Sequence, residues 1–455
     1  MKQPSIIDPC FPQLTTALNR TRMREALQIS LFDPLKGQRD NFLIYSCQVG
    51  ERRYKPGKSC VVSYRIEIIN TEAQSVQAQM LYARLCKTDE GLSEFKRARE
   101  KALFKPENLP PILYLPQLEM VVWAFPNDRK LIHLPKMQDL SFLREYWPRQ
   151  LNRIDVQSPN RVRAIQAEVI HYLPERSCMM RYTLDLENTA TGTVRPGVLF
   201  GKIYPDDSGQ TVYSTMQQLY SQTEDLRLAQ PLAYDADLKI LWQSELPGRP
   251  FRAEEIDTPQ CKEILREVAV TVAALHRRSL KGASLFKASD INKLFIETCD
   301  IVDKTPWARR VQSLVKTLLT QAEKLGLESA PMTPIHGDLK IGNMLIDGGK
   351  IGLIDLDCVR MGDPLCDLGS FIANLYYNGI RIGCDVFGME SQVEAFCLVY
   401  SEQVDWAVSQ NSLRWHIAAA FIYEIVRRSL RQSNERRMKH INQYLDLCEQ
   451  YCLQT

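Results

Sequence analysis

Three residues between Ile335 and Asp357 have the types and spacing for metal-assisted chemistry: Asp338, Asn343 five positions later, and Asp355 after twelve more. Met344 to Ile346 and Ile351 to Ile354 are short apolar runs on either side of Asp347-Gly348-Gly349, a pattern that reads as a β-hairpin. A hairpin brings its two ends together, so Asn343 and Asp355 are expected to be neighbours. Their hard oxygens suit Mg²⁺, and Asp338 supplies a carboxylate able to orient a hydroxyl. Phosphoryl transfer uses those parts: a divalent cation on the phosphates, a carboxylate for the acceptor's proton, and positive charge near the transferring group. An ordinary buried hairpin gives no reason to gather carboxylates and an amide on apolar strands, because desolvating them is costly without partners or a metal.

The pattern His336-Gly337-Asp338, then Asn343, then Ile354-Asp355-Leu356-Asp357, with hydrophobic strands between, resembles the aminoglycoside phosphotransferase family, relatives of choline and protein kinases. The resemblance implies an α/β (α+β) protein-kinase-like fold, with a small β-rich lobe and a mostly helical large lobe. It implies ATP and Mg²⁺ as cofactors, Asp338 as the catalytic carboxylate and Asn343 and Asp355 as metal ligands. His336 and Gly337 would form the structural shoulder of the loop. Lys340 would neutralise charge on the transferring phosphoryl group, worth several kcal/mol in a water-poor site. Asp-Leu-Lys is similar to protein kinases, whereas many aminoglycoside kinases carry His at the position of Lys340. Asp357 reads as a structural acceptor, and Asp367 matches a family Asp that holds the loop backbone from the following helix.

The 455 residues correspond to about three domains. With 45% hydrophobic and 24% charged residues the composition is that of a globular protein, and a net charge of +3 is too small to argue for nucleic acid or a membrane surface. No run approaches the length of a spanning helix, and Met1-Lys2-Gln3-Pro4-Ser5 leads into no hydrophobic segment, so neither a spanning helix nor a secretory signal is expected. The 13 cysteines are scattered with no Cys-x-x-Cys pair, and the six histidines form no metal-type cluster. Zinc and a disulfide framework are not expected, and the compartment reads as reducing and cytoplasmic.

Residues 54–86 align without a gap on 172–204 at an offset of 118, with nine identities that include Tyr54 on Tyr172, Cys60 on Cys178 and Asn70 on Asn188. Further on, Tyr114 pairs with Tyr234 and Trp123 with Trp242 at nearly the same offset. The chain is therefore expected to carry a small β-rich lobe twice: a degenerate copy in 1–150, a nucleotide-binding lobe and hinge in 151–250, and a catalytic helical lobe in 251–455. Gly57-Lys58-Ser59 is not a phosphate loop, because position 52, where the motif needs glycine, is Arg52. Lys202 of the second copy, within Val198-Leu-Phe-Gly-Lys202-Ile-Tyr, falls on Arg84 of the first. The resemblance makes Lys202 the strand lysine that binds nucleotide phosphates, a compact point charge that Arg does not reproduce. The first copy has no His-Gly-Asp segment and is expected to be catalytically silent. It would dock on the second copy, shape the substrate cleft, or mediate a homodimer or a protein contact.

A helix over about 210–222 should carry the acidic partner of Lys202, yet it holds no acidic residue before Glu224 and Asp225. Either of these reaches in, or something else holds Lys202. The strand Leu238–Trp242 and the segment Gln243-Ser-Glu245-Leu246-Pro247-Gly248-Arg249 resemble the hinge between lobes. There the backbone of Gln243, Glu245 and Leu246 would meet the adenine edge. Thr258-Pro259 reads as a helix start, with apolar residues at helical spacing running to His276, a core histidine. A helix over 306–326 precedes the catalytic loop. From 391 to 452 the chain is expected to be helical, with Trp406, Trp415 and Phe421 on apolar faces. Between 405 and 440 seven basic residues face three acidic ones. That balance is read first as a solvated helix face; it suits a polycationic acceptor poorly and would suit a sugar, a phosphorylated metabolite or another anionic acceptor. Three functions remain: a small-molecule kinase for a sugar, amino alcohol or aminoglycoside-like hydroxyl; a nucleotide-binding pseudokinase scaffold; or a protein kinase. The last is opposed by the lack of an Ala-Pro-Glu segment after Asp355.

Overall fold

Buried positions alternate along two strands at matching places: Cys60, Val62, Tyr64, Ile66 and Ile68 in one, Cys178, Met180, Tyr182, Leu184 and Leu186 in the other. That period of two buries one face of each strand. In the computed structural model, which describes residues 8–32, 41–101, 104–154, 160–222, 225–431 and 435–453, each is the centre of a long antiparallel meander. The first meander comprises β1 (Phe42–Lys55), β2 (Ser59–Asn70), β3 (Ser75–Leu85), β4 (Ile112–Leu115) and β5 (Met120–Ala124), in the order β1-β2-β3-β5-β4. After it come β6 (Asn160–Leu173), β7 (Ser177–Asn188), β8 (Val194–Ile203), the short β9 (Arg227–Leu228), β10 (Pro231–Asp235) and β11 (Ile240–Ser244). The second sheet runs β10-β11-β8-β7-β6, the same order read from the other edge.

The correspondence extends to side chains. Asp8 accepts from the Tyr54 hydroxyl and from Gly57 N–H, and Asp128 accepts from the Tyr172 hydroxyl and from Glu175 N–H. Tyr64 donates to Ala17 O and Tyr182 to Met137 O. Asn70 and Asn188 close equivalent turns, each accepting two backbone N–H groups. Each meander is preceded by a short and a longer helix, α1 (Leu14–Ala17) and α2 (Arg20–Leu31) before the first, with α3 (Gly91–Arg99) inside it. The second has α4 (Leu134–Gln138) and α5 (Leu140–Ile154) before it and α6 (Ser208–Tyr220) after β8. The reading of 12–31 as one helix is corrected. Asn19 caps a new helix there, its side chain accepting from Thr21 and Arg22 N–H.

The chain divides into two units, Met1–Gly209 with Ala233–Trp242, and Gln210–Leu232 with Gln243–Thr455. In the first, the β6–β7 turn of the second meander is clamped by the first. Glu175, with its side chain only 2% exposed, meets Arg53 at 3.0 Å, Arg129 at 2.8 Å and Arg84 at 3.7 Å. Burial pushes the Glu175 carboxyl up, but the three guanidiniums more than offset this and hold it below the ordinary range.

The second unit carries two small sheets. One has the order β12-β15-β16-β9, formed by β12 (Arg249–Pro250), β15 (Met344–Asp347) and β16 (Lys350–Leu353) with β9; the other joins β13 (Leu285–Phe286), β17 (Arg360–Gly362) and β14 (Thr333–Ile335). The helices are α7 (Cys261–His276), α8 (Ala288–Val302), α9 (Ala308–Leu325), α10 (Pro364–Ile382), α11 (Val386–Glu402), α12 (Gln410–Ala420), α13 (Arg427–Arg431), α14 (Glu435–Met438) and α15 (Ile441–Leu453). α10 is the buried spine, started by Asp363, which accepts from Leu365 N–H, and by Pro364 in the first turn. Gly369 lets it cross α12 closely, since a Cβ there would lie 2.6 Å from the His416 backbone. Thr258 does not cap α7 as expected; its hydroxyl donates back to Glu255 O, and α7 begins at Cys261. Trp406 likewise lies between α11 and α12 rather than on a helix. All thirteen cysteines are free thiols. Among the described residues no helix is long and apolar enough to cross a membrane.

Candidate active site

β14 delivers the chain to His336 and Gly337, and their backbone fixes the loop that follows. Both N–H groups donate to Asp367 on α10, at 2.5 and 2.9 Å. Asp367 is 1% exposed and also takes His276 Nε2 at 3.2 Å. Because a carboxylate only accepts, that contact assigns the proton to Nε2 and leaves His276 Nδ1 for the Tyr400 hydroxyl, 2.8 Å away. Burial pushes the Asp367 carboxyl up, yet the hydrogen bond from His276 and the Gly337 N–H outweigh it and hold it below the usual range. His336 Nε2 donates to Ile354 O at 3.0 Å, tying the loop to the end of the hairpin. Gly337 is required twice over: its φ is +75°, and a Cβ would lie 2.4 Å from Cys358 O.

The hairpin forms as read, with Met344 opposite Leu353 and Asp347 opposite Lys350. Gly348 and Gly349 take φ of +56° and +80°, the positive values a tight two-residue turn needs. Ile354 N–H donates to Asn343 O at 3.0 Å, which places Asn343 and Asp355 at adjoining ends of the two strands. The Asn343 amide N–H donates to Asp338 O at 2.9 Å, which leaves its Oδ1 as an acceptor. Asp355 is exposed and sits in the left-handed region, φ +63°, unusual for a non-glycine residue and typical of functional turns. Asp357 is exposed beside it. The structure thus gathers Asp338, Lys340, Asn343 and Asp355 on one loop and hairpin. Asp338 is ion-paired with Lys340 and, through Oδ1, with Arg428 Nη2 at 3.2 Å.

Arg428 was hidden in the basic stretch, which is not simply a solvated face. Arg427 and Arg431 bind Glu297, at 2.7 and 3.2 Å. Arg428 follows a six-residue π-helical segment, Phe421–Val426, whose wider turn re-aims the residues after α12. Within it Glu424 accepts from Ser370 Oγ at 3.2 Å. Burial lifts the Glu424 carboxyl above its ordinary range, with Arg428 pulling the other way and Asp338 adding to the rise. Ninety positions separate Asp338 from Arg428, and no local pattern announces the pairing.

Gln243, Glu245 and Leu246, expected at a hinge, lie in the same unit as the hairpin. Glu245 to Gly248 run without regular structure between β11 and β12, Arg249 and Pro250 pair with Ile346 and Leu345, and Leu246 packs over Gly352, where a Cβ would meet it at 2.8 Å. Gln243 is half-buried on β11 and Glu245 exposed. Lys202 belongs to the first unit, 9% exposed on β8, with Nζ 5.8 Å from the Tyr204 ring centroid. Asp225 is ion-paired with Arg277 at 3.3 Å and with Arg278; Glu224 lies outside the described residues. A cavity of about 290 Å³, lined by Lys58, Arg84 and Lys87 among others, belongs to the first meander and contains none of the loop residues.

Residues 187–404 match the family model described as the phosphotransferase enzyme family, APH. No curated protein sequence matches the chain. Among solved structures, a Ralstonia eutropha protein assigned by its description to the aminoglycoside phosphotransferases is 12% identical, covers 68% of this chain and 97% of its own, and superposes with a TM-score of 0.51. Choline kinase LicA from Streptococcus pneumoniae is 13% identical over 68% of this chain and 99% of its own, with a TM-score of 0.45. Macrolide 2'-phosphotransferase MphH from Brachybacterium faecium is 13% identical over 67% and 97%, with a TM-score of 0.41. The Ralstonia eutropha superposition and the family-model match show a protein-kinase-like fold.

Proposed function

We propose that this chain, which over residues 187–404 carries a phosphotransferase-family domain, transfers the γ-phosphate of ATP to a hydroxyl of a small molecule such as a sugar, an amino alcohol or an aminoglycoside-like compound. The observation that carries the reading is the set Asp338, Asn343 and Asp355, held on one loop and hairpin by Asp367. Asp338 orients the acceptor hydroxyl and takes its proton as the new O–P bond forms and the bond to ADP breaks. Lys340, already beside Asp338, offers charge to the transferring group. Lys202 binds phosphates, and the backbone of Gln243, Glu245 and Leu246 meets the adenine edge. The donor set fits Mg²⁺: Asn343 Oδ1 and the exposed Asp355 carboxylate are two hard ligands, the number this ion takes when phosphate oxygens supply others. Bound there, Mg²⁺ would neutralise phosphate charge. Residues 1–150 act as a non-catalytic copy of the nucleotide-binding lobe 151–250, with 251–455 as the catalytic and acceptor-binding lobe, all in the cytoplasm.

The test is Mg²⁺-dependent ATP consumption against sugars, amino alcohols and aminoglycosides. Acceptor-stimulated turnover should fall by about 10²–10⁴ in Asp338→Asn with nucleotide binding intact. One observation favours a scaffold that binds nucleotide without turnover: α6, Ser208–Tyr220, contains no Asp or Glu. Nucleotide binding without consumption on any acceptor would decide for it.

A further inference from the structure

Next to Arg428 the second unit holds a group of aromatic hydroxyls and guanidiniums that the transfer step does not use. Tyr377 on α10 packs against Tyr444 on α15, ring centroids 5.6 Å apart with the planes tilted by 43°. The Arg381 guanidinium lies 5.3 Å from the Tyr377 ring centroid and that of Arg437 5.8 Å. Tyr377 is 7% exposed and Tyr444 fully buried, and among the described residues neither hydroxyl has a hydrogen-bond partner. Cation–π stacking accounts for the arginines lying over the ring, but it leaves two buried hydroxyls unsatisfied, which proteins avoid unless something else binds there. Neither Arg381 nor Arg437 has an acidic partner among the described residues. Tyr377 lies on α10, which packs against the π-helical segment that leads into Arg428, and Arg428 holds Asp338.

We propose, resting on the phosphotransferase reading above, that the hydroxyl acceptor bears an anionic oxygen group, a carboxylate or a phosphate, seated by Arg381, Arg437 and the hydroxyls of Tyr377 and Tyr444. Guanidiniums and phenol hydroxyls are donors that match such oxygens, and an anion satisfies the orphaned hydroxyls while neutralising uncompensated charge. Bound this way, the acceptor lies with its anion on the tyrosines and its hydroxyl at Asp338. A polycationic acceptor meets three guanidiniums instead and is repelled.

The experiment uses the full chain with Mg²⁺ and ATP and matched acceptors on three- and six-carbon skeletons: glycerol, glycerate, glycerol 3-phosphate and aminopropanediol, and glucose, gluconate, glucose 6-phosphate and glucosamine. Calorimetric titration of the four anionic compounds runs alongside and reads binding whether or not turnover occurs. An anionic member of a set should exceed its neutral and cationic counterparts in kcat/KM by about tenfold or more, the worth of one charge-assisted hydrogen bond. Which one wins distinguishes carboxylate from phosphate. The double variant Arg381→Gln with Arg437→Gln should raise that acceptor's KM and Kd by about tenfold, leaving kcat and the KM for ATP near the parent values, the mark of lost ground-state binding. Tyr377→Phe, which removes only the hydroxyl, should raise KM in the same direction. Preference for neutral or cationic acceptors, with turnover abolished by Asp338→Asn, overturns this inference and leaves the phosphotransferase reading standing. Anion binding that depends on Arg381 and Arg437, without turnover on any acceptor, does the reverse. Neither binding nor turnover of any anionic compound overturns the inference as well.

Discussion

Asp367 is the most constrained carboxylate of the site although it touches no reacting atom in the proposed step. It takes the His336 and Gly337 N–H groups and His276, and it is buried. An amide in its place keeps the size but presents an N–H where acceptors are needed. Asp367→Asn should therefore lower unfolding free energy by about 2–4 kcal/mol in urea titration, the cost of breaking a buried charged network. The pH dependence follows from the sign of the shift. The folded-state value is depressed, so the stabilisation is present above the unfolded carboxylate value and is lost as pH falls through the folded one. Between about pH 5 and pH 3 the parent protein should lose melting temperature more steeply than Asp367→Asn, and equal slopes would refute the assignment. The role of Asp367 was legible from its place in the Gly362–Gly369 phrase. Its link through His276 to Tyr400 was not, since these residues are distant in sequence.

At the scale of elements, the hairpin β15–β16 positions the metal-type ligands, and its turn is conformational rather than packed. A Cβ at Gly348 or Gly349 would have no heavy atom within 4 Å, so substitution is opposed only by the positive φ. Gly349→Val should cost about 1–2 kcal/mol in thermal unfolding, the penalty of the left-handed region for an L-residue, and weaken Mg²⁺-dependent nucleotide binding by loosening Asn343 against Asp355. An unchanged melting temperature would sink this account. Turn chemistry and apolar spacing are local, which is why the hairpin could be read directly. The start of α7 was misread because Thr258 bonds backward to Glu255. The π-helical segment before Arg428 has no comparable signature in residue types; its wider turn is set by packing of α12 and α13 against their neighbours.

At the scale of the whole molecule, the two meanders share strand order and side-chain bonds but differ in what stands at one β-strand position. Lys202 remains a lysine stacked near Tyr204, whereas Arg84 reaches Glu175 in the other meander. A guanidinium is suited to that shared carboxylate, and the swap turns a position that holds a lysine in the second meander into an internal clamp in the first. Lys202→Ala should raise the KM for ATP or abolish turnover, while Arg84→Ala should leave both kinetic constants within about twofold and lower the melting temperature by a few degrees, as a modest stability loss does. A kinetic loss in Arg84→Ala equal to that in Lys202→Ala would give both meanders a role in the reaction.

The sequence by itself determined the duplicated strand pattern, the hairpin, the loop carrying Asp338, Asn343 and Asp355, and the resemblance they bear, because each is written in short-range spacing or in an offset that holds without a gap from 54 to 86. Tertiary structure decided the partners: Asp225 going to Arg277 and Arg278, Arg84 to Glu175, and Arg428 to Asp338 across ninety positions. Which cation a carboxylate meets depends on how helices and strands far apart in the chain are packed, and periodicity carries no information about that.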